Sequence, residues 1–195
     1  MSRVVIVDGF SSGKFVAKAL RERGCTLIHV ASSATLDDYY YAGFDASIYE
    51  GLIVNKHMDA TVECVAPFDP HYIIAGAETG VLLADRLNEQ FNLPYRNQFK
   101  RTQARRNKFE MIRCVADAGL PTAQQGVVES WDAAEVWILG HGRFPVVLKP
   151  LDSAGSDGVY ICNDLQDCEV AFGKVLGATN RLNIGNVQVL IQEYL

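Results

Sequence analysis

Apolar and polar positions in the first hundred residues predict strands and helices in alternation. The predicted strands, which are short β-branched runs, span residues 3–7, 27–30 and 72–75, and the predicted helices span residues 11–23, 59–66 and 78–91. Leu83, Leu87 and Phe91 lie four residues apart, on one face of the last of these helices. Such alternation is typical of a parallel sheet covered by helices, so we expect a Rossmann-like unit over residues 1–98.

The pattern changes in the second half of the chain. Residues 99–118 predict one long helix, ended by Gly119 and Pro121, and we assign residues 99–120 as a linker helix. Further strands are predicted at residues 122–128, 145–148, 159–162 and 187–192, and further helices at residues 132–139 and 165–176. The predicted fold class is therefore α/β, with an N-terminal Rossmann-like parallel-sheet domain followed by a small α+β unit over residues 121–195.

Composition and charge narrow the class of protein. Of 195 residues, 49% are apolar and 21% charged, with a net charge of −5, as expected of a globular protein with a core. The acidic balance argues against a nucleic-acid partner, and no apolar run is long enough to cross a membrane. The five cysteines are scattered without a C-x-x-C pair, which indicates reduced thiols and no zinc site. We therefore predict a cytoplasmic protein, with no metal ligand in this chain.

A basic segment at residues 100–108, KRTQARRNK, leaves three interpretations open. It holds five cations in nine residues, which is compatible with a nucleic-acid patch, with a solvated helix face, or with cations that meet a polyphosphate. The overall acidity and the absence of interleaved aromatic residues disfavour the first interpretation.

Two glycine-containing loops follow predicted strands of the first half. Residues 8–14, DGFSSGK, lack the spacing of a phosphate-binding loop and contain no G-x-G-x-x-G fingerprint. The turn can hold an anion or a substrate carboxylate through its amides, or it can be a structural turn. Residues 76–80, GAETG, occupy the equivalent place after another strand, where both loops can face one crevice. Taken alone, Glu78 slightly favours the alternative of a helix start, where its charge complements the helix dipole. The candidate substrate-side residues are Gly9, Ser11, Ser12, Gly13 and Glu78.

Residues 146–162, VVLKPLDSAGSDGVYIC, place a lysine at the end of a predicted strand. Pro150 holds Lys149 extended, and a run of small residues follows it. Glycines allow a close approach to phosphate, and successive amides can form an anion site. A phosphate lid is favoured over a plain hairpin loop, and its candidate members are Ser153, Ala154, Gly155, Ser156 and Gly158.

Four motifs together resemble those of the ATP-grasp ligases. They are Lys108 in RRNKFEM, Lys149 in VVLKP, the segment SAGSDGV, and IQEYL at residues 191–195. The segments VDGFSSG, GAETGVLLADRL and KPLDSAGSDGV are similar to those of bacterial L-amino-acid (dipeptide) ligases. The resemblance implies a pre-ATP-grasp domain followed by the small ATP-grasp lobe.

The resemblance also implies the ligands and their residues. Lys108 and Lys149 would bind the phosphates of ATP and would be the catalytic residues. The lid would close over the β- and γ-phosphates. The hinge beside adenine would consist of Glu193, Tyr194 and Leu195. Mg²⁺ would be held by a C-terminal lobe, which this chain lacks, so the 195-residue chain is expected to be the inactive N-terminal half of an enzyme.

The intact enzyme would join a carboxylate and an amine, both expected to be amino acids. The carboxylate would be activated as an acyl phosphate, and ADP and phosphate would be released. The alternatives are a biotin-type carboxylase, a ribonucleotide-pathway ligase, or a module that binds nucleotide or dimerises without turnover. The family also implies that the N-terminal domain can support a homodimer.

Overall fold

The computed structural model describes residues 1–35 and 38–195. The chain divides into two compact units, Met1–Thr102 and Gln103–Leu195. Within the described residues, no helix combines the length and the apolar character needed to cross a bilayer.

The first unit contains a four-stranded parallel sheet with the strand order β3-β2-β1-β4. Its strands are β1 (Arg3–Val7), β2 (Thr26–Ala31), β3 (Gly51–Val54) and β4 (Tyr72–Ala75). The sequence analysis missed β3. This edge strand is not fully buried anywhere, and Leu52 and Val54 on it are exposed, so it lacks the pattern of a strand inside a sheet.

Helices cover both faces of this sheet. The α-helices are α1 (Gly13–Glu22), α2 (Asp38–Tyr41), α3 (Met58–Val65) and α4 (Val81–Gln90), and 3-10 helices span Ala46–Ile48, Ala66–Phe68, Glu78–Gly80 and Phe99–Arg101. Val5 and Val7 pack with Val65 of α3 and Leu87 of α4 on one face. Ile6 packs with residues of α1 and the 44–49 segment on the other face. The predicted parallel α/β unit is confirmed.

The single long helix predicted over residues 99–118 is wrong. The segment consists of the 3-10 helix at Phe99–Arg101 and two α-helices, α5 (Gln103–Arg106) and α6 (Lys108–Asp117). Asn107 separates α5 from α6 because its backbone is extended and its side chain accepts a hydrogen bond from the Glu110 amide at 3.1 Å. This is the geometry of an N-cap, so a new helix begins where the apolar spacing alone predicted continuation.

The second unit contains an antiparallel sheet with the strand order β5-β8-β6-β7. Its strands are β5 (Gln125–Val128), β6 (Val146–Lys149), β7 (Tyr160–Cys162) and β8 (Val189–Glu193), and its further helices are α7 (Trp131–His141) and α8 (Leu165–Val175). Ala134 and Ile138 of α7 and Phe172 of α8 pack with Leu148 and Ile191 in one core. The residues next to Leu148 on β6 and next to Ile191 on β8 therefore face the other side of the sheet.

Candidate functional site

The two glycine loops of the first unit lie against each other. A Cβ atom added to Gly13 would lie 2.5 Å from the carbonyl oxygen of Gly76, and one added to Gly76 would lie 2.6 Å from that of Asp8. Real side chains do not approach backbone so closely, so both positions require glycine. The loops after β1 and β4 thus meet at the carboxyl edge of the parallel sheet, as the sequence analysis expected.

Asp8 connects three loops at this edge, and the sequence analysis did not single it out. Its buried carboxylate accepts hydrogen bonds from the Ser32 amide at 2.7 Å, the Ser32 hydroxyl at 2.6 Å and the Thr79 hydroxyl at 2.5 Å. Burial raises the pKa of the Asp8 carboxyl above its ordinary value, although these hydrogen bonds act in the opposite direction. The signal available in the sequence was a polar residue directly after a buried strand.

The remaining candidate substrate-side residues differ in exposure. Ser11 and Ser12 are exposed, and Ser11 has a left-handed backbone with a φ of 47°. Glu78 is exposed at the start of its 3-10 helix. Gly9 is buried, and a Cβ there would lie 2.3 Å from the Tyr49 hydroxyl.

An aromatic cluster beside Gly9 contains a buried histidine. The His29 ring lies 5.0 Å from that of Phe10 and 5.3 Å from that of Tyr49, measured between centroids. Burial lowers the pKa of His29 to about 4, so the ring is neutral at physiological pH. A cavity of about 350 Å³ adjoins Tyr49 and Gly9 and has Lys14 on its wall.

In the second unit, Lys108 reaches the start of the glycine-rich loop at residues 153–158, which we call the lid loop. Its ammonium group donates hydrogen bonds to the carbonyl oxygen of Ser153 at 3.0 Å and to the Ser153 hydroxyl at 3.3 Å. Its backbone amide donates to the carbonyl oxygen of Leu151 at 2.9 Å. The first residue of α6 is therefore held against the segment that leads from Lys149 into the lid loop.

Lys149 is the last residue of β6 and pairs with Leu190 of β8. Its half-buried ammonium group donates a hydrogen bond to the Gln192 side-chain oxygen at 2.5 Å. Burial lowers the pKa of Lys149 below its ordinary value, because desolvation disfavours the charged form. Lys108 thus contacts the first residue of the lid loop, whereas Lys149 contacts β8 and precedes the lid loop by four residues in the sequence.

The lid loop has a backbone that favours close approach to an anion. Gly155, Ser156 and Gly158 have φ values of 65°, 58° and 69°. Ser153 is buried, and its hydroxyl donates to the carbonyl oxygen of Asp157 at 3.2 Å. Successive amides in turns of this kind can form an anion-binding concavity.

Strand alternation separates the predicted hinge residues. Val189 and Ile191 face the core with α7 and α8, so Gln192 shares the opposite face of the sheet with Lys149. Glu193 accepts a hydrogen bond from the Gln124 amide at 3.0 Å, and Tyr194 and Leu195 are exposed. The sequence analysis missed Gln192. The alternation of Val189 and Ile191 in the sequence was the available signal, since it places Gln192 on the opposite face of the strand.

The cations of residues 100–108 do not form one helical face. Lys100 and Arg101 are exposed in the first unit, whereas Arg106 is buried and forms an ion pair with Asp152. Lys108 lies against the lid loop. Of the three interpretations of this segment, a single solvated helix face is wrong, because the cations lie on three short helices and Arg106 is buried. In the part of the chain that the structure describes, no group of three or more histidine, cysteine, aspartate or glutamate side chains could hold a metal ion.

Comparisons with known proteins identify a similar curated protein and several solved structures with the same fold. No protein-family model matches the chain. Dapdiamide A synthase of Enterobacter agglomerans is 34% identical to this chain over an alignment of 195 positions. The alignment covers 98% of this chain and 46% of that protein. The chain therefore spans under half the length of this curated relative.

Solved structures show the same fold at low sequence identity. An L-amino acid ligase from Bacillus licheniformis matches with a TM-score of 0.68 and 15% identity, over 100% of this chain and 44% of that one. The biotin carboxylase domain dimer of the Hydrogenobacter thermophilus 2-oxoglutarate carboxylase, in complex with MgADP, ADP and bicarbonate, matches with a TM-score of 0.69 and 16% identity, over 98% and 44%. The chain has the fold of the N-terminal portions of ATP-grasp ligases, and the resemblance seen in its motifs is confirmed.

Proposed function

We propose that the second unit binds the phosphates of ATP through Lys108, Lys149 and the lid loop. The observation that carries the proposal is the contact of the Lys108 ammonium group with Ser153, the first residue of a loop with three left-handed residues, and Lys149 ends the strand that leads into this loop. Ser153, Ala154, Gly155, Ser156 and Gly158 are the lid residues proposed to approach the β- and γ-phosphates. Such a combination of cations and loop amides suits an oxyanion, which needs donors and positive charge together.

The adenine side of the proposed site lies further along β8. Gln192 lies on the face of the sheet that carries Lys149, and an amide side chain can accept from the exocyclic amine of adenine. We assign a side-chain contact with adenine to Gln192 and not to Glu193, a predicted hinge residue, since the Glu193 carboxylate accepts from the Gln124 amide. The main chain at Tyr194 and Leu195 would supply the remaining hinge contacts.

For the whole protein, we propose ATP-dependent formation of an amide bond between a carboxylate and an amine, with amino acids as the substrate class. The carboxylate would attack the γ-phosphate, so that ADP leaves and an acyl phosphate forms, and the amine would then displace phosphate. Lys108, Lys149 and the lid amides would stabilise the negative charge on the transferred group, which is the main source of rate in phosphoryl transfer. A closed lid would keep water away from the acyl phosphate.

Mg²⁺ would supply further charge neutralisation on the phosphates when bound. We assign none of its ligands to this chain. The MgADP complex of the Hydrogenobacter carboxylase domain supports the choice of nucleotide and metal. A homodimer remains part of the proposal, supported by the dimeric form of that domain, and light scattering on the purified protein would test it.

The substrate carboxylate is proposed to lie near the first unit's loops. Gly9, Ser11, Ser12, Gly13 and Glu78 surround the edge where the loops after β1 and β4 meet. The exposed hydroxyls of Ser11 and Ser12 can donate to a carboxylate, and Glu78 can accept from an ammonium group. These are the two charged ends of an amino acid.

The binding proposal is tested by calorimetric titration of the gene's full product with MgATP. Lys149→Met and Lys108→Met should each weaken binding by about 30-fold to 1000-fold, the scale of losing one electrostatic contact worth about 2–4 kcal/mol. Lys174→Met is the matched control, because Lys174 is an exposed lysine on α8 of the same unit. Equal affinity of all three variants and the parent would contradict the assignment.

The reaction is tested by ADP release from the gene's full product with MgATP and pools of amino acids. Release that requires particular amino acids supports the proposed ligase. Release that requires bicarbonate instead would move the protein to the carboxylase alternative. Nucleotide binding without any substrate-dependent release would support the non-catalytic module.

A further inference from the structure

A short hairpin at residues 178–186 lies against the lid loop and has no role in the function proposed above. Thr179 and Gly185 form an isolated antiparallel bridge, and the Asn186 amide donates to the carbonyl oxygen of Ala178 at 2.8 Å. The buried side chain of Asn180 organises its turn, since its oxygen accepts from the amides of Leu182 at 2.9 Å and Ile184 at 3.2 Å.

Two consecutive residues of this hairpin hold both ends of the lid loop. The Asn180 side-chain amide donates to the carbonyl oxygen of Asp152, directly before the lid loop, at 2.6 Å. The Arg181 backbone amide donates to the carboxylate of Asp157, inside the lid loop, at 2.8 Å. The Arg181 Nε lies 3.9 Å from the other oxygen of that carboxylate.

The lid loop's own hydrogen bonds are longer than these two contacts. The Asp157 amide lies 3.4 Å from the carbonyl oxygen of Ala154, and the Val159 amide lies 3.4 Å from that of Ser156. Ser156 also has a left-handed backbone, which a residue with a Cβ adopts only when its surroundings fix it. The lid loop is therefore held from outside, by Lys108 at Ser153 and by the hairpin at Asp152 and Asp157.

We propose that the 178–186 hairpin presets the phosphate-binding conformation of the lid loop, with Asn180 and Asp157 as positioning residues. This inference rests on the proposed ATP site. Asn180 acts through the carbonyl of Asp152, and Asp157 acts through the Arg181 amide. A lid held in its binding shape loses less conformational entropy when phosphate binds, so its affinity rises without a new contact to the nucleotide.

The decisive variant is Asn180→Asp. It keeps the oxygen that accepts from Leu182 and Ile184, but it removes the side-chain nitrogen that donates to Asp152 and, at 3.1 Å, to the Asn186 side-chain oxygen. Asn183→Asp is the matched control, because it makes the same change of charge at an exposed position of the same hairpin. Asp157→Ala is the second variant, because it removes the acceptor of the Arg181 amide from the lid side and leaves the hairpin's own hydrogen bonds in place.

Hydrogen exchange of the lid amides in the nucleotide-free chain is measured first. Asn180→Asp and Asp157→Ala should each raise the exchange rate of residues 153–158 by about tenfold, the effect of losing one hydrogen bond, whereas Asn183→Asp should not. Unchanged lid exchange in Asp157→Ala and in a folded Asn180→Asp would overturn the proposal.

Ligand titrations then separate positioning from general stability. Both variants should bind MgATP about tenfold more weakly while binding adenosine, which lacks phosphates, as the parent does. Equal losses for ATP and adenosine would overturn the positioning role. If the gene's full product without substitutions bound no nucleotide, the proposed ATP site would fail, and the exchange result alone would then decide whether the hairpin orders the lid.

Discussion

The contact between the two glycine loops of the first unit predicts that Gly13→Ala lowers the free energy of unfolding, whereas a Gly→Ala substitution in a helix usually raises it. Gly13 is the first residue of α1, and its added Cβ would lie 2.5 Å from the Gly76 oxygen and 2.7 Å from the Gly76 Cα. In an open helical position, alanine stabilises relative to glycine by about 0.5–1 kcal/mol. At Gly13 the methyl group meets backbone, which cannot rotate away as a side chain can.

Overpacking of this kind costs about 1–3 kcal/mol, which exceeds the helical gain. We expect Gly13→Ala to lower the free energy of unfolding by about 1–2 kcal/mol net, or the melting temperature by roughly 4–16 °C for a unit of this size. Gly173→Ala is the matched control, because Gly173 lies within α8 and an added Cβ would meet nothing within 4 Å. That variant should gain about 0.5–1 kcal/mol.

Urea denaturation followed by two probes distinguishes the units. Trp131 and Trp137 both lie in the second unit, so tryptophan fluorescence reports that unit, whereas far-ultraviolet circular dichroism reports both. A Gly13→Ala variant as stable as the parent, or more stable, would refute the close approach of the two loops. An equal loss in Gly173→Ala would show that the sign does not depend on the space around each glycine.

Three further predictions concern single side chains. Asn107→Ala should lower stability by about 1 kcal/mol in urea denaturation through loss of the α6 cap, whereas Asn107→Ser, which keeps a capping oxygen, should retain most of it. His29 has a pKa lowered to about 4, so the unfolded state binds more protons between pH 4 and 6.5 and the His29 contribution to stability is lost as pH falls through that window. The stability of the parent minus that of His29→Phe should therefore decrease from pH 6.5 to pH 4, and a flat difference would contradict the burial of a neutral ring. Iodoacetamide at pH 8 should label the exposed Cys64 in the native chain and spare the buried Cys168, whose pKa is raised to about 12 by burial, with mass spectrometry as the readout and labelling of both after denaturation as the control.

Several elements of the fold could be predicted from local sequence alone. β1 and β4 have the predicted bounds, because each is a short apolar run that a glycine-containing turn follows, although β4 lies at the edge of its sheet and only Ile73 on it is buried. β3 was missed because an edge strand shows half-exposed alternation over only four residues. The long helix over residues 99–118 failed because Asn107 caps α6 through a side-chain contact that apolar spacing does not report.

The candidate site also combines features that the sequence indicates with features that only the structure shows. The residue types at Lys108, Lys149 and the lid loop indicate anion chemistry without a structure, since small residues and cations at a strand end have few other uses. The proposed contact of Gln192 with adenine depends on strand register, which fixes the face of the sheet on which a side chain lies.

The sequence by itself determined the class of fold and the order of the motifs, and it indicated the kind of ligand that is proposed, because periodicity and residue chemistry are local properties of the chain. Only the tertiary structure decided which groups meet. Asp8 contacts Thr79 across 71 positions, and Asn180 reaches Asp152 across 28. Such contacts depend on how strands pair and loops return, so no local pattern contains them.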